Sequence, residues 1–318
     1  MLVESGGRGS KESRARRPWV WALSGLGIVA AAIAAISIWL TEPLEPEDVA
    51  ALRTLDQARA PHAPEPEREL RSTALEWPVG TLDGPPAKRL LLEVLLDAES
   101  RIDRVTGYTA TFRKQERISG VLRDEETLAI KVRHRPFAFY GKFLAPRAGK
   151  EVVFAEGHHG NKVIATGGGL TRLLVPRLAL DPTGPLALAD SRHPVTEAGL
   201  ANLIHRLARF RKLDLEDEAA ATVLDRWTDE RGKVWLRSVH THPRKNPERP
   251  FARVEVLYDP ATLYPMRISN FDWQDPPADG QVVGALAERY TYADLEVDVP
   301  LTALDFDPAN PNYAFQRF

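Results

Sequence analysis

The sequence of 318 residues contains no cysteine. This absence excludes disulfide bonds, zinc ribbons, iron–sulfur clusters held by thiolates, thiol catalysis and the lipidated cysteine of a bacterial lipoprotein. The sequence also lacks a large excess of either charge, because 42 basic and 44 acidic side chains give a formal net charge of -2. Proteins that bind along nucleic-acid phosphates carry a basic surface, so this balance argues against DNA or RNA as a partner.

Charged side chains are missing from one run near the N-terminus, Trp19 to Leu40. As a helix, this run of 22 residues would span roughly 33 Å, enough to cross the hydrocarbon core of a membrane. Basic residues precede it and acidic residues follow it. We therefore expect residues 1–18 to form a cytoplasmic tail, residues 19–40 a single-pass anchor in the inner (cytoplasmic) membrane, and the rest of the chain to be periplasmic. A cleaved signal peptide is the alternative, but the run exceeds the apolar region of about 7–15 residues typical of one.

Proline and acidic residues dominate the next segment, residues 41–86. It contains eight prolines, and ten acidic against four basic residues. Such a composition does not bury enough apolar surface to offset the entropy lost on folding. The segment is predicted to be a mostly disordered linker, which tethers a folded domain spanning residues 87–318.

The folded domain is predicted to contain two helices. One follows Pro85-Pro86, has apolar positions at helical spacing and ends at Gly107. The other is expected to be capped by Thr196. Their apolar positions are Leu91, Leu95, Ala98, Ile102 and Val105 for the first, and Leu200, Leu203, Ile204 and Leu207 for the second.

Most of the remaining domain shows the alternation typical of strands. The predicted strands are Tyr108 to Ile118, with a turn at Ser119-Gly120, then Leu128 to Val132, Phe137 to Phe143, Glu151 to Ala155, Lys162 to Ala165, Thr222 to Thr228, Val234 to Thr241, Phe251 to Tyr258, Pro265 to Trp273 and Leu286 to Val297. About ten strands with short turns indicate a mainly β (α+β) fold, a large curved antiparallel sheet or unclosed β-barrel covered by helices.

Several stretches resemble known proteins. SRIDRVTGYTATF (100–112), IKVRHRP (130–136), GKEVVFAEGHHGNKVIA (149–165) and DLEVDVPLTALDFDP (294–308) are similar to segments of the periplasmic lipoprotein carriers (LolA-like). The wider pattern, with KQERISG, PFAFYGKFLAP, SRHPVTEAGL and ERYTYADLEVDV, resembles the bacterial domain-of-unknown-function family 1571 over roughly residues 90–318. The resemblance implies an unclosed barrel with an apolar cavity, which in the carriers accepts acyl chains.

The resemblance also suggests individual roles. Ile102 matches an apolar residue of the carriers' lid helix, and Arg135 matches an arginine that holds their lid closed. Phe137, Phe139 and Phe143 form an aromatic stripe, which suits either core packing or the lining of a cavity. The complete set of lipid-binding cavity candidates is Ile102, Phe112, Leu128, Ile130, Phe137, Phe139 and Phe143, with Arg135 as the lid contact. This sequence departs from the carriers in its predicted anchor and linker, in its larger domain, and in an extra loop and helix over residues 175–212.

Residues suited to chemistry are few. His240 and His242 share a strand face but lack an evident carboxylate partner, so they are interpreted as surface residues. His193 lies near Asp190 and Ser191, but a serine two residues from a histidine does not generally form a triad. The glycines at 167–169 lack the rest of a phosphate-binding loop. We therefore predict no catalytic residue, no metal site and no cofactor.

Three functions remain open. The leading hypothesis is a membrane-anchored, extracytoplasmic, non-enzymatic domain that binds a lipid, acyl chain or lipoprotein in an apolar cavity. The second is a protein-interaction or envelope-stress sensing module with a filled core, which contacts an envelope protein through its sheet edge or through the loop over residues 175–195. The third is hydrolysis of an envelope polymer, which requires His193 or His240 to meet a carboxylate in a cleft.

Overall fold

The computed structural model describes residues 75–167, 177–245, 249–278 and 281–316. The predicted tail and anchor and most of the predicted linker lie outside the described residues, as do two glycines of the 167–169 run. Within the described ranges, no helix combines the length and the hydropathy needed to cross a membrane.

Thirteen strands form one antiparallel sheet in the described part of the chain. The strands are β1 (Leu82–Asp83), β2 (Gly107–Ile118), β3 (Val121–Leu122), β4 (Glu126–Arg133), β5 (Ala138–Ala145), β6 (Glu151–Ala155), β7 (Val163–Ala165), β8 (Leu178–Leu180), β9 (Ala221–Thr228), β10 (Val234–Thr241), β11 (Arg253–Tyr258), β12 (Pro265–Ala278) and β13 (Gln281–Val297). Their order is β1-β9-β10-β11-β12-β13-β2-β4-β5-β6-β7-β8, and β3 pairs with β2 alone. Because β1 and β8 are the two ends of this path, the sheet is unclosed, as the alternation predicted.

Local sequence fixes the turns and bends of the sheet. Ser119 and Gly120 have φ values of 50° and 81°, the left-handed conformations that a two-residue hairpin turn requires. Between Ala293 and Glu296 the pairing of β13 with β2 shifts register, and Asp294 there has φ 51°. Such an irregularity bends a strand and increases its twist.

In the described ranges, two α-helices pack on one face of the sheet, which we call the inner face. They are α1 (Gly84–Ile102) and α2 (Leu200–Glu216). Pro85 and Pro86 occupy the first turn of α1, where their missing N–H groups cost nothing. The helix ends at Ile102 and not at Gly107, so the prediction placed this end too late.

The start of α2 also differs from the prediction. Thr196 lies in a short 3₁₀ helix before α2 and does not cap it. The cap is Gly199, whose φ of 105° favours glycine. Its neighbour Leu200 donates its N–H to the hydroxyl of Tyr108 at 2.8 Å. The buried phenol of Tyr108 on β2 therefore caps the N–H at the start of α2, the role that the sequence predicted for Thr196.

The predicted apolar stripes of both helices form the core. Leu91 and Leu95 of α1 pack with Leu207 of α2 against strands β9 to β12. Ala98 and Ile102 pack with Leu200 and Ile204 against β2 and β4. Residues 75–83, from the segment assigned to the linker, also contact this core. Trp77 is buried, and its indole N–H donates to the carbonyl of Asp225 at 2.9 Å.

The opposite face of the sheet is partly covered by the C-terminal residues. The ring of Tyr313 stacks on Tyr140 of β5 with 4.0 Å between the centroids. The ammonium of Lys131 lies 2.6 Å from a carboxylate oxygen of Asp305. Phe306 and Phe315 complete a third apolar cluster. Tyr140 thus points away from Phe139, as the alternation predicted.

Adjacent leucines on α1 provide a test of this packing. Leu95 is 0% exposed and Leu96 is 38% exposed. We expect Leu95→Ala to lower the free energy of unfolding by about 2–5 kcal/mol, because a buried cavity is created. Leu96→Ala should lower it by less than about 1 kcal/mol, since surface changes have small effects. Urea titration of both variants measures the difference, and equal losses would contradict the assignment of the buried face.

Candidate functional site

A cavity of about 230 Å³ lies on the inner face of the sheet. It is bounded by strands from β13 to β8 and by residues 181–199, which connect β8 to α2 and which we call the cover segment. Its apolar lining includes Phe112, Leu128, Phe139, Phe143, Val152, Val163, Ala165, Leu180, Leu186, Leu203 and Tyr292. Leu186 of the cover segment is 73% exposed, so an apolar side chain faces both cavity and solvent.

A glycine shapes the cavity wall at the centre of β5. A Cβ atom on Gly141 would lie 3.0 Å from a ring carbon of Phe139 and 3.3 Å from a methyl carbon of Leu128. The absence of a side chain at Gly141 therefore leaves room for the Phe139 ring close to the backbone of β5. Phe143, two residues further along the same face, continues the wall.

The predicted cavity residues separate into two groups. Phe112, Leu128, Phe139 and Phe143 line the cavity. The other three do not line it. Ile102 of α1 and Ile130 of β4 are buried in the core between the helices and the sheet. Phe137 lies in the turn before β5, at a second cavity of about 90 Å³. Strand alternation identifies the inner face but does not distinguish the part under the helices from the part under the cover segment.

Arg135 borders the smaller cavity. Its guanidinium lies 3.7 Å from a carboxylate oxygen of Asp103, directly after α1, and its side chain is 71% exposed. Asp103 also lies 3.0 Å from the Nε2 atom of His205 on α2. Arg135 thus contacts the end of a helix, through an exposed ion pair worth about 0–1 kcal/mol.

Charged side chains form one side of the large cavity. The Lys114 ammonium lies 3.2 Å from a carboxylate oxygen of Glu116 and 3.3 Å from one of Glu126. Arg147, in the β5–β6 hairpin, pairs with Glu126 and lies 2.6 Å from Asp190 of the cover segment. The cavity is therefore amphipathic, with an apolar wall and a charged border.

The cover segment is fastened to the sheet by Glu288 of β13. One carboxylate oxygen of Glu288 lies 2.8 Å from Nε of Arg192 and 3.0 Å from Nε2 of His193. The other accepts a hydrogen bond of 2.7 Å from the side-chain amide of Asn270. Burial raises the pKa of Glu288, but His193, Asn270 and Arg192 together outweigh burial and hold this pKa below its usual value of 4.5.

Sequence reasoning missed Glu288, although a signal was present. Glu288, Tyr290 and Tyr292 alternate along β13, so an acidic side chain stands on the same face as two inward-pointing tyrosines. An ionisable group on a buried face requires a charged or hydrogen-bonding partner. Its partners come from the loop before α2, too distant in sequence for the pattern to identify.

The residues suited to hydrolysis do not assemble a triad. The hydroxyl of Ser191 donates to the main-chain carbonyl of His193 at 3.0 Å. Nε2 of His193 faces Glu288, and Nδ1 lies 3.7 Å from Glu197. Because both ring nitrogens face carboxylates, neither is directed at Ser191 to accept its proton.

His240 and His242 are buried, so their interpretation as surface residues was wrong. Nε2 of His242 lies 3.2 Å from a carboxylate oxygen of Asp214, which also contacts Arg211 and Arg249. His240 hydrogen-bonds Thr222 and Ser238, at 3.1 Å each. Asp214 lies near the end of α2, so this buried polar cluster fastens the helix to the sheet. Among the described residues, no group of three or more histidine and acidic side chains is arranged to hold a metal.

Removing the charge of Glu288 should loosen the cover segment. We expect Glu288→Gln to lower the free energy of unfolding by about 1.5–3 kcal/mol, the range for hydrogen bonds to charged groups. Because folding lowers the pKa of Glu288, its contribution is complete above pH 4.5 and is lost as the pH falls through the folded-state pKa. The difference from the wild type should therefore shrink below pH 4.5 in denaturant titrations. Glu197→Gln is the control, since a half-exposed carboxylate contributes less than about 1 kcal/mol.

His240 should make stability depend on pH in a different range. Burial, then Arg211, His242 and Lys88, lower the pKa of His240 well below 6.5. The unfolded chain binds a proton there more readily, so stability should fall as the pH drops below 6.5, by at most about 1.4 kcal/mol per pH unit. His240→Gln removes this dependence. Denaturant titrations between pH 5 and pH 8 test it, and wild-type and variant curves that stay parallel would contradict the assignment.

Solved structures that match part of this chain include the lipoprotein LppX of Mycobacterium tuberculosis. It shows 15% identity, coverage of 70% of this chain and 99% of that chain, and a TM-score of 0.37. A putative outer membrane lipoprotein-sorting protein domain from Vibrio parahaemolyticus shows 12% identity, coverage of 68% and 95%, and a TM-score of 0.32. A LolA superfamily protein from Nitrosomonas europaea shows 8% identity, coverage of 68% and 96%, and a TM-score of 0.28.

At the level of sequence, no curated protein matches the chain. The model of one protein family, described as "Protein of unknown function (DUF1571)", matches residues 105–315. The match takes in the sheet from β2 to β13, the cover segment and α2, and it extends over more than half of the chain. The chain therefore belongs to the DUF1571 family.

Proposed function

We propose that this chain is a non-enzymatic binding protein that holds the acyl chain of a lipid or lipoprotein in the cavity under the cover segment. The proposal includes a single-pass anchor at residues 19–40 and a periplasmic domain. The observation that carries it is the cavity of about 230 Å³, whose apolar wall is built from the inner face of the sheet.

The size and chemistry of the cavity suit one acyl chain. Its volume is somewhat below the range of roughly 300–1000 Å³ typical of drug-sized ligands. Aromatic and aliphatic side chains on successive strands provide a continuous apolar surface. Each methylene group that enters would contribute about 0.8 kcal/mol through burial. Binding of this kind does not need directional polar contacts along the acyl chain.

The cover segment provides a route for entry and release. It has little regular secondary structure, and it is attached through polar groups at residues 190–193. Opening requires separation of these ion pairs, whereas the apolar core beneath the helices stays intact. Leu186, exposed at the cavity, offers the first apolar contact to an incoming chain.

The competing functions receive less support. An interaction module with a filled core does not account for unfilled space between the sheet and the cover segment. For hydrolysis, His193 does meet a carboxylate at the cavity, because its Nε2 atom lies 3.0 Å from Glu288. The hydroxyl of Ser191, however, donates to the main-chain carbonyl of His193 and is not placed as a nucleophile beside the ring. We therefore retain the non-enzymatic function.

Filling the cavity tests the proposal. Ala165 of β7 lines the cavity and is 8% exposed. We expect Ala165→Phe to occupy the cavity and to weaken binding of a fluorescent fatty-acid probe at least about tenfold, because the acyl chain loses its site. The melting temperature should not fall, since the added ring fills existing space. Probe titration of the full chain in phosphatidylcholine nanodiscs, corrected with empty discs, measures the binding.

Val121→Phe is the matched control. Val121 is 57% exposed on β3 and does not line the cavity, so the same aromatic ring there should leave probe binding unchanged. Equal binding by the wild type and a folded Ala165→Phe variant would reject the cavity as the lipid site.

A further inference from the structure

Lys150 differs from the other cations at the cavity. It directly precedes β6, is half-buried and lines the cavity wall. Its ammonium lies 4.9 Å from the centroid of the Phe143 ring. Among the described residues, no carboxylate lies within ion-pair distance of this ammonium, although the group offers three donors.

The neighbouring charges already have partners. Glu116 accepts from Lys114 and from the hydroxyl of Tyr290, at 3.2 and 2.5 Å. Glu126 pairs with Lys114 and with Arg147, and Asp190 pairs with Arg147. These contacts leave the Lys150 ammonium as the cation with unused donors at the charged border.

We propose that the ligand has an anionic head group, the carboxylate of a single-chain fatty acid, and that Lys150 binds this carboxylate while the chain lies along the Phe143 and Phe139 wall. This inference rests on the proposed function and names its ligand class. The apolar wall and the unpaired cation border the same cavity. A single amphiphile can therefore contact the wall with its acyl chain and the cation with its head group.

The surroundings of Lys150 strengthen a contact with an anion. A half-buried ammonium without a counter-ion is poorly solvated, and charge-assisted hydrogen bonds are stronger than neutral ones. Phe143 contributes the face of its ring, which attracts a cation but leaves the donors free. Burial, followed by repulsion from Arg147, lowers the pKa of Lys150 below 10.5 and outweighs the attraction of Glu126 and Asp190, neither of which is paired with the ammonium. A bound carboxylate would raise this pKa again, in opposition to burial and to the repulsion from Arg147.

Competition between matched amphiphiles tests the head group. Decanoic acid, decanol and decyl phosphate would displace the fluorescent fatty-acid probe from the full chain in nanodiscs at pH 7.5. We expect the wild type to bind decanoate at least about tenfold more tightly than decanol, a difference of about 1.4 kcal/mol. Lys150→Met should bind the two equally. Lys150→Arg, which retains the charge, should restore the preference.

Lys142→Met is the matched control, because Lys142 is exposed on β5 and does not line the cavity. It should keep the wild-type preference for the acid. The head-group assignment is overturned if the wild type binds decanoate and decanol equally, or if Lys150→Met still prefers decanoate. Either result leaves lipid binding itself in place. Tighter binding of decyl phosphate than of decanoate overturns the carboxylate in favour of a phosphate. Failure of all three to displace the probe overturns this inference together with the proposed function.

Discussion

The width of one unclosed sheet limits how its inner face is covered. Twelve strands lie side by side from β1 to β8, and at about 4.8 Å between neighbours they extend over roughly 53 Å. The longer helix, α1, has 19 residues and a length of roughly 28 Å. Even a helix laid across the strands therefore covers about half of this face. The helices pack under β9 to β12, the start of β2 and the end of β4, and the strands towards β8 need another cover.

An irregular segment serves as that cover, and its chemistry differs from that of a helix. A helix presents a continuous apolar stripe, whereas residues 181–199 turn repeatedly and present isolated apolar side chains. At the end of the segment, Val195 and Ala198 pack on the core. Before them, residues 190–193 are held by polar contacts, those of Arg192 and His193 with Glu288 and that of Asp190 with Arg147. Polar attachment fixes the segment at a few points without filling the space beneath it. The cavity therefore arises where the sheet is covered by this loop and not by a helix.

Sequence periodicity predicted the sheet closely, because alternation directly reports which face a side chain occupies. β6 and β10 begin and end where the pattern placed them, and Tyr140 and Phe139 point to opposite faces. The pattern could not separate Ile130, beneath the helices, from Phe139, beneath the cover segment, because both are inward residues. It also failed for His240 and His242, which are buried because α2 packs over them and brings Asp214 to His242. Long-range partners of ionisable groups are set by the packing of elements that local periodicity treats independently.

Two features of the cavity are unfavourable for the protein by itself, and they lie side by side. Unfilled space of about 230 Å³ leaves the apolar side chains of the wall without packing partners on one side. Lys150 adds an ammonium that is half-buried without a paired carboxylate among the described residues. A larger side chain at Ala165 would fill the space, and an acidic residue near Lys150 would neutralise the charge. A single ligand with an apolar chain and an anionic end compensates both costs at once, whereas a purely apolar ligand leaves the second cost in place.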